Sequence, residues 1–200
     1  MSARARPVRL AVVIPTRNRG QMAAKSVESV LACDADGDRI AVIVSDNSTD
    51  PRESEVLEKS LADADARVTL IRPSAPLPMT AHWNFAIDHA MGVGGCTHFM
   101  FLTDRMLVRA HRMRQILGII ARFPDEVLSF SYDRIDDVRQ PAVYRPLPRS
   151  GDLLRVESGS LLGMSARMAF PSCLPRMLNS VSPRRHIDAL NARFGSAFSS

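Results

Sequence analysis

Four times in its first 122 residues the chain passes from a short, solidly apolar block, across a polar loop, into a segment whose apolar residues recur at helical spacing. The blocks are "VRLAVVIP", "RIAVIVSD", "ARVTLIRP" and "THFMFLTD". A strand that is apolar at every position is buried on both faces, and strands joined by helices run parallel. The helical segments fit that scheme. "QMAAKSVESVLA" aligns Ala23, Val27, Val30 and Leu31, and "PRESEVLEKSLADA" opens on Pro51 and aligns Leu57, Leu61 and Ala64. "MTAHWNFAIDHA" carries Met79, Trp83, Ile87 and Ala90 on one stripe, and "RAHRMRQILGIIARFP" turns Met113, Ile116, Leu117 and Ile120 inward. The expected architecture is α/β, a mostly parallel sheet flanked by helices.

Ligands of such sheets bind beyond the carboxyl ends of the strands. Three of those ends are polar here: Thr16-Arg17-Asn18-Arg19, Ser45-Asp46-Asn47-Ser48 and Thr103-Asp104-Arg105. After the fourth helix the pattern loosens. "EVLSFSY" is expected as a strand, and "DRIDDVRQPAVYRPLPRSGDLLR" as loop and hairpin. No linker divides the chain, so residues 1–200 are expected to form one domain.

Several classes fall away. The net charge of +5 is almost all arginine and is spread along the chain, whereas a nucleic-acid binder concentrates its charge. Cys33, Cys96 and Cys173 are odd in number and far apart, which speaks against a disulfide framework or a zinc site and for a reducing compartment. The start, "MSARARPVRLAVVIP", is basic but has too short an apolar core for a signal peptide, and no stretch reaches transmembrane length. A cytoplasmic location is expected, with peripheral attachment to a membrane left open. No G-x-G-x-x-G, Walker lysine or G-x-S-x-G elbow is present. His82 and His89 are seven apart, and an exposed pair without chemistry is the expectation for them.

Taken in order, "AVVIPTRNR", "IVSDNSTD", "MTAHWNFAIDHA" and "THFMFLTDR" resemble a glycosyltransferase of family two with the GT-A fold, a Rossmann-like nucleotide-diphospho-sugar transferase. The resemblance covers residues 8–122, the nucleotide-sugar-binding half, and weakens over residues 123–200, the start of an acceptor-side half. It implies that Pro15, Thr16, Arg17, Asp46 and Asn47 grip the nucleotide base, a carboxylate accepting from a base N–H and a threonine bonding a base edge. It also implies contacts to the nucleotide sugar from His82 or Asn84. Local chemistry offers plainer roles beside these: Asp46, Asn47 and Thr49 are common turn residues, and Trp83 suits the core.

The resembling family ends its fourth strand in a D-x-D motif that touches the ribose and holds a divalent cation against the leaving diphosphate. Here the motif reads Thr103-Asp104-Arg105, with one carboxylate left. Magnesium or manganese would then hang on Asp104 and the substrate phosphates. Alternatively Arg105 places a guanidinium near the diphosphate in the metal's stead. The family's catalytic base is an acid in the acceptor half. Asp133, Asp136, Asp137, Glu157 and Asp188 are the candidates present, but "ARFGSAFSS" looks cut in mid-element, so the base is expected beyond Ser200 and transfer by residues 1–200 is expected to be weak. The implied partners are a nucleotide-diphosphate sugar and a glycan, lipid or protein acceptor. Two alternatives stand beside an inverting glycosyltransferase: a nucleotidyltransferase on a similar scaffold, and a non-catalytic nucleotide-sugar-binding module.

Overall fold

The computed structural model describes residues 8–32, 39–109, 111–130, 134–136, 143–145, 155–157, 160 and 180–198. Four β–α units open the chain. They are β1 (Leu10–Thr16) with α1 (Gly20–Leu31), β2 (Ile40–Asp46) with α2 (Pro51–Leu61), β3 (Val68–Ile71) with α3 (Met79–Gly92), and β4 (His98–Phe101) with α4 (Arg112–Arg122). There follow β5 (Leu128–Ser129), a hairpin of β6 (Arg134–Asp136) and β7 (Val143–Arg145), β8 (Ser180–Pro183) and α5 (Arg184–Phe194).

The main sheet runs β3-β2-β1-β4-β8-β5. β1 pairs in parallel with β2 and β4, and β2 with β3. Every residue of β1, β2 and β4 is buried, which is the physical content of their unbroken apolar runs. One layer stacks Leu10, Val12 and Ile14 against Ala23, Val27 and Val30 of α1, Leu57 of α2, and Met113, Leu117 and Ile120 of α4. The other stacks Ala11, Val13, Phe99 and Phe101 against Ala86, Ile87 and Ala90 of α3 and Ile187 of α5.

β8 enters between β4 and β5, antiparallel to both, and this strand is absent from the sequence expectations. "SVSP" is short, half serine and closed by proline, so it lacks the apolar run that marks its neighbours. The strand expected over "EVLSFSY" shrinks to Leu128–Ser129, and the expected hairpin appears as β6–β7. Three local expectations are corrected. α2 stops at Leu61, so Ala64 lies past its end; Met79, at 63% exposed, opens α3 outside the core stripe; and His82 is buried, leaving only His89 exposed. Trp83 is partly buried and packs on the second layer. Cys96 is buried and free, while Cys33 and Cys173 lie outside the described residues. Among the described residues no helix is long and apolar enough to cross a membrane.

Candidate functional site

The chain runs outward from β1 to β2 to β3 and then returns to β4 on the other side of β1. That reversal makes a topological switch point at the carboxyl ends of β1 and β4, and open α/β sheets take ligands in the crevice at such a point. Thr16 ends β1 on one side of it, and Asp104 follows β4 on the other. The Thr16 hydroxyl donates to Asp104 Oδ2 at 2.9 Å, with both residues buried. Arg19 closes the group, its Nη1 lying 3.2 Å from Oδ1 and 3.3 Å from Oδ2 of the same carboxylate. Thr103 is half-buried, and Arg105 is exposed beside Asp104.

The end of β2 lies in register with the end of β1, Pro15 opposite Ser45 and Thr16 opposite Asp46. Alternation along β2 then splits its two last side chains. Asp46 points to the α2 layer, where Ser48 N–H (3.0 Å), the Ser54 hydroxyl (2.7 Å) and Arg72 Nε (2.9 Å) all donate to it. Burial by itself would raise this carboxyl, but the hydrogen bonds from Ser48, Ser54 and Arg72 outweigh it and hold the pKa below its ordinary value. Arg72 also pairs with Glu58 of α2. Ser45 points to the opposite layer, where its hydroxyl meets Nε2 of His82 at 2.8 Å. Burial pushes the His82 imidazole below its ordinary pKa, and Arg17 pushes it the same way against the bond to Ser45 and the charge of Asp46.

The loops over these ends are stitched together by Asn18, which holds a left-handed φ of 55°. Its side-chain oxygen accepts from Thr49 N–H at 2.8 Å and Asp50 N–H at 3.0 Å, and its own N–H donates to the Ser48 hydroxyl at 2.8 Å. Short polar Asn tolerates that backbone where a bulky residue would be strained. Asn47 is tied in both directions to the Leu77 backbone, each bond 2.8 Å, and so pins the loop before α3.

Of the residues singled out by sequence, Pro15, Thr16, Arg17, Asp46, Asn47, Thr103, Asp104 and Arg105 come together at the strand ends, and His82 joins them through Ser45. Asn84 points elsewhere, its amide bonding both N–H and C=O of Phe198 at 3.0 Å. Among the candidate bases, Glu157 is exposed. Asp188 is exposed one turn into α5, which starts where Pro183 faces His98 at the amino end of β4, away from the crevice. Asp136 lies in β6, and Asp133 and Asp137 fall outside the described residues. Arg19, Arg72, Ser45 and Ser54 are the residues that sequence reasoning missed. Arg19 stood in the polar strand end already noted, and nothing local told it apart from Arg17. Among the described residues no group of three or more His, Cys, Asp or Glu side chains is placed to hold a metal ion.

A family model described as Glycosyl transferase family 2 matches residues 11–170. Among solved structures, S. aureus TarS 1-349 is similar with a TM-score of 0.51 at 16% identity, over 61% of this chain and 35% of that one. The same TarS fragment in complex with UDP-GlcNAc gives a TM-score of 0.51 at 16% identity, over 61% and 34% of the two chains. The mannosyltransferase PcManGT from Pyrobaculum calidifontis, in complex with GDP-Man and Mn2+, gives 0.48 at 15% identity, over 60% and 34%. The match thus spans about a third of the length of each of these structures. No curated protein matches the chain.

Proposed function

The chain belongs to glycosyl transferase family 2 and has the GT-A fold, and from that premise we propose that it moves a hexose from a nucleotide-diphosphate donor to an acceptor hydroxyl, with inversion. The observation that carries this reading is the gathering of Thr16, Asp46 and Asp104 at the ends of three parallel strands, around the crevice where the strand order reverses.

In this reading the base lies over Pro15, Thr16 and Arg17. Asp46, held ionised by its donors, is fully buried on the α2 side and accepts a base N–H only if the β2–α2 loop over it moves. Asn47 shapes the pocket by pinning Leu77, and His82 fixes the Ser45 end of β2. Asp104 and Thr103 receive the ribose hydroxyls, and Arg105 adds positive charge beside the diphosphate. Asn84 reaches the donor only if its clasp on Phe198 opens. An inverting displacement needs a carboxylate to take the acceptor proton. Asp133, Asp136, Asp137 and Glu157 are the acids to test for that step, and the placement of Asp188 makes it the weakest of the set. The acceptor is a glycan, lipid or protein hydroxyl.

TarS was solved with UDP-GlcNAc, so uridine donors are the first to try. Calorimetry with UDP, GDP and their sugars should show binding that weakens by roughly 1.5–3 kcal/mol, the value of a lost charge-assisted bond, in Asp46→Asn and in Asp104→Asn. Thermal melts of each variant check that the fold persists. Equal affinity in parent and both variants would remove the site from the strand ends, and absence of binding to every nucleotide would remove the donor reading itself.

A further inference from the structure

Asp104 is the residue to which the family resemblance assigns a divalent cation, yet its surroundings do not fit one. It is the single carboxylate of its strand end, flanked in sequence by Thr103 and Arg105. A magnesium or manganese ion needs several oxygen ligands and takes one or two carboxylates besides phosphates and water. Here the Thr16 hydroxyl donates to Oδ2, and Arg19 Nη1 stands within 3.3 Å of both oxygens. Both oxygens of the carboxylate are thus engaged, and the positive charge of Arg19 beside them would repel an ion.

We propose that Arg19 is the counter-charge of Asp104 in place of a divalent cation, and that its guanidinium receives the diphosphate of the donor. The proposal rests on the nucleotide-diphosphate reading above. Three features of the structure support it. First, only Nη1 of Arg19 contacts Asp104, which leaves Nη2 and Nε to donate to a second anion; guanidinium carries five N–H donors in a rigid fork and bridges two anions readily. Second, exposure is graded across the pair: the Asp104 side chain is 5% exposed and that of Arg19 39%, so the guanidinium is held from the protein side and open on the other. Third, its backbone is fixed. Arg19 C=O accepts from Ala23 N–H in the first turn of α1, the next residue's N–H is held by Glu53 Oε2 at 2.7 Å, and the preceding Asn18 is stitched to the β2–α2 loop. A charge so placed needs little reorganisation when the diphosphate arrives. Arg17 and Arg105, both exposed nearby, add to the same positive field.

The test is calorimetry of UDP and GDP, each beside its nucleoside, in EDTA and with excess Mn2+. It uses the parent, Arg19→Ala and Arg19→Lys, with thermal melts to confirm folding. The parent should bind the diphosphates in EDTA and gain little from Mn2+. Arg19→Ala should weaken diphosphate binding by roughly ten- to a hundredfold while leaving the nucleoside unaffected, and Arg19→Lys should recover part of the loss. Diphosphate binding by the parent that vanishes in EDTA and returns with Mn2+ would overturn the proposal, as would an Arg19→Ala variant of parental affinity. In both cases the donor reading survives. Failure of every nucleotide to bind in either condition would overturn both.

Discussion

His82 enters the folded protein at 4% exposed, its Nε2 against the Ser45 hydroxyl, with its pKa pushed below 6.5 chiefly by burial. The unfolded chain therefore binds more protons than the folded one once the pH drops below 6.5, and stability must fall as pH descends from there through the lower folded value. His98 and His186 are shifted the same way, again with burial as the largest cause. His82→Gln removes one of the three titrations while keeping an amide for Ser45. In urea unfolding at about pH 7.5 and about pH 5.5, the variant should lose less stability between the two than the parent. An identical loss in both proteins would show that His82 does not contribute. Thr16, Asp46 and Asp104 were legible in sequence because a polar residue closing an apolar strand has few purposes. The partner of Asp104 was not. Sequence offers the neighbouring Arg105 as a guanidinium for the diphosphate and names no partner for Asp104, whereas the fold brings Arg19 from 85 positions away. Arg72 was hidden in the same way: ahead of Pro73 it marks the end of β3, and only the packing of α2 on the sheet reveals its bond to Asp46.

Helices α1 and α2 approach each other so closely at Gly20 that a methyl group there would lie 2.2 Å from Glu53 C=O and 2.9 Å from Leu57 N. Both obstacles are backbone, so Gly20→Ala must push the helices apart. The cost should resemble that of an overpacked core, about 1–3 kcal/mol, read as a lower urea midpoint with an unchanged slope. A midpoint equal to the parent's would mean that the helices separate freely. α2 itself was readable from its start signals. Asp50 caps it by accepting from Arg52 N–H at 2.9 Å, and Pro51 takes the first helical position. Its end carried no such signal, and the apolar spacing ran on to Ala64 past the true stop. The same asymmetry separates the strands. β1, β2 and β4 announce themselves because both their faces are buried, and β8 stays silent because serine and proline serve a four-residue antiparallel strand as well as they serve a loop.

At the scale of the molecule the sheet is two pieces of different origin, four parallel strands made from contiguous chain and a pair, β8 and β5, completed from far away. Among the described residues β5 pairs with the sheet through β8 alone. A chain ended after Phe130 should therefore leave the β4 edge bare and β5 without a partner. Such an edge is a template for pairing with other chains, so size-exclusion chromatography should find the shortened protein in larger species than the parent. Profiles that coincide would show that β8 is dispensable for closing the sheet. The placement of β8 also has a meaning in time. During synthesis the four parallel strands leave the ribosome first, and Ser180 follows Phe101 by roughly 80 residues. At typical elongation rates that interval lasts several seconds, far longer than a helix or hairpin needs to form. For that interval the nascent sheet offers the bare flank of β4 to whatever lies near the tunnel exit. A chaperone that shields strand edges would matter most in that interval, and codon choice between β4 and β8 would set how long it lasts.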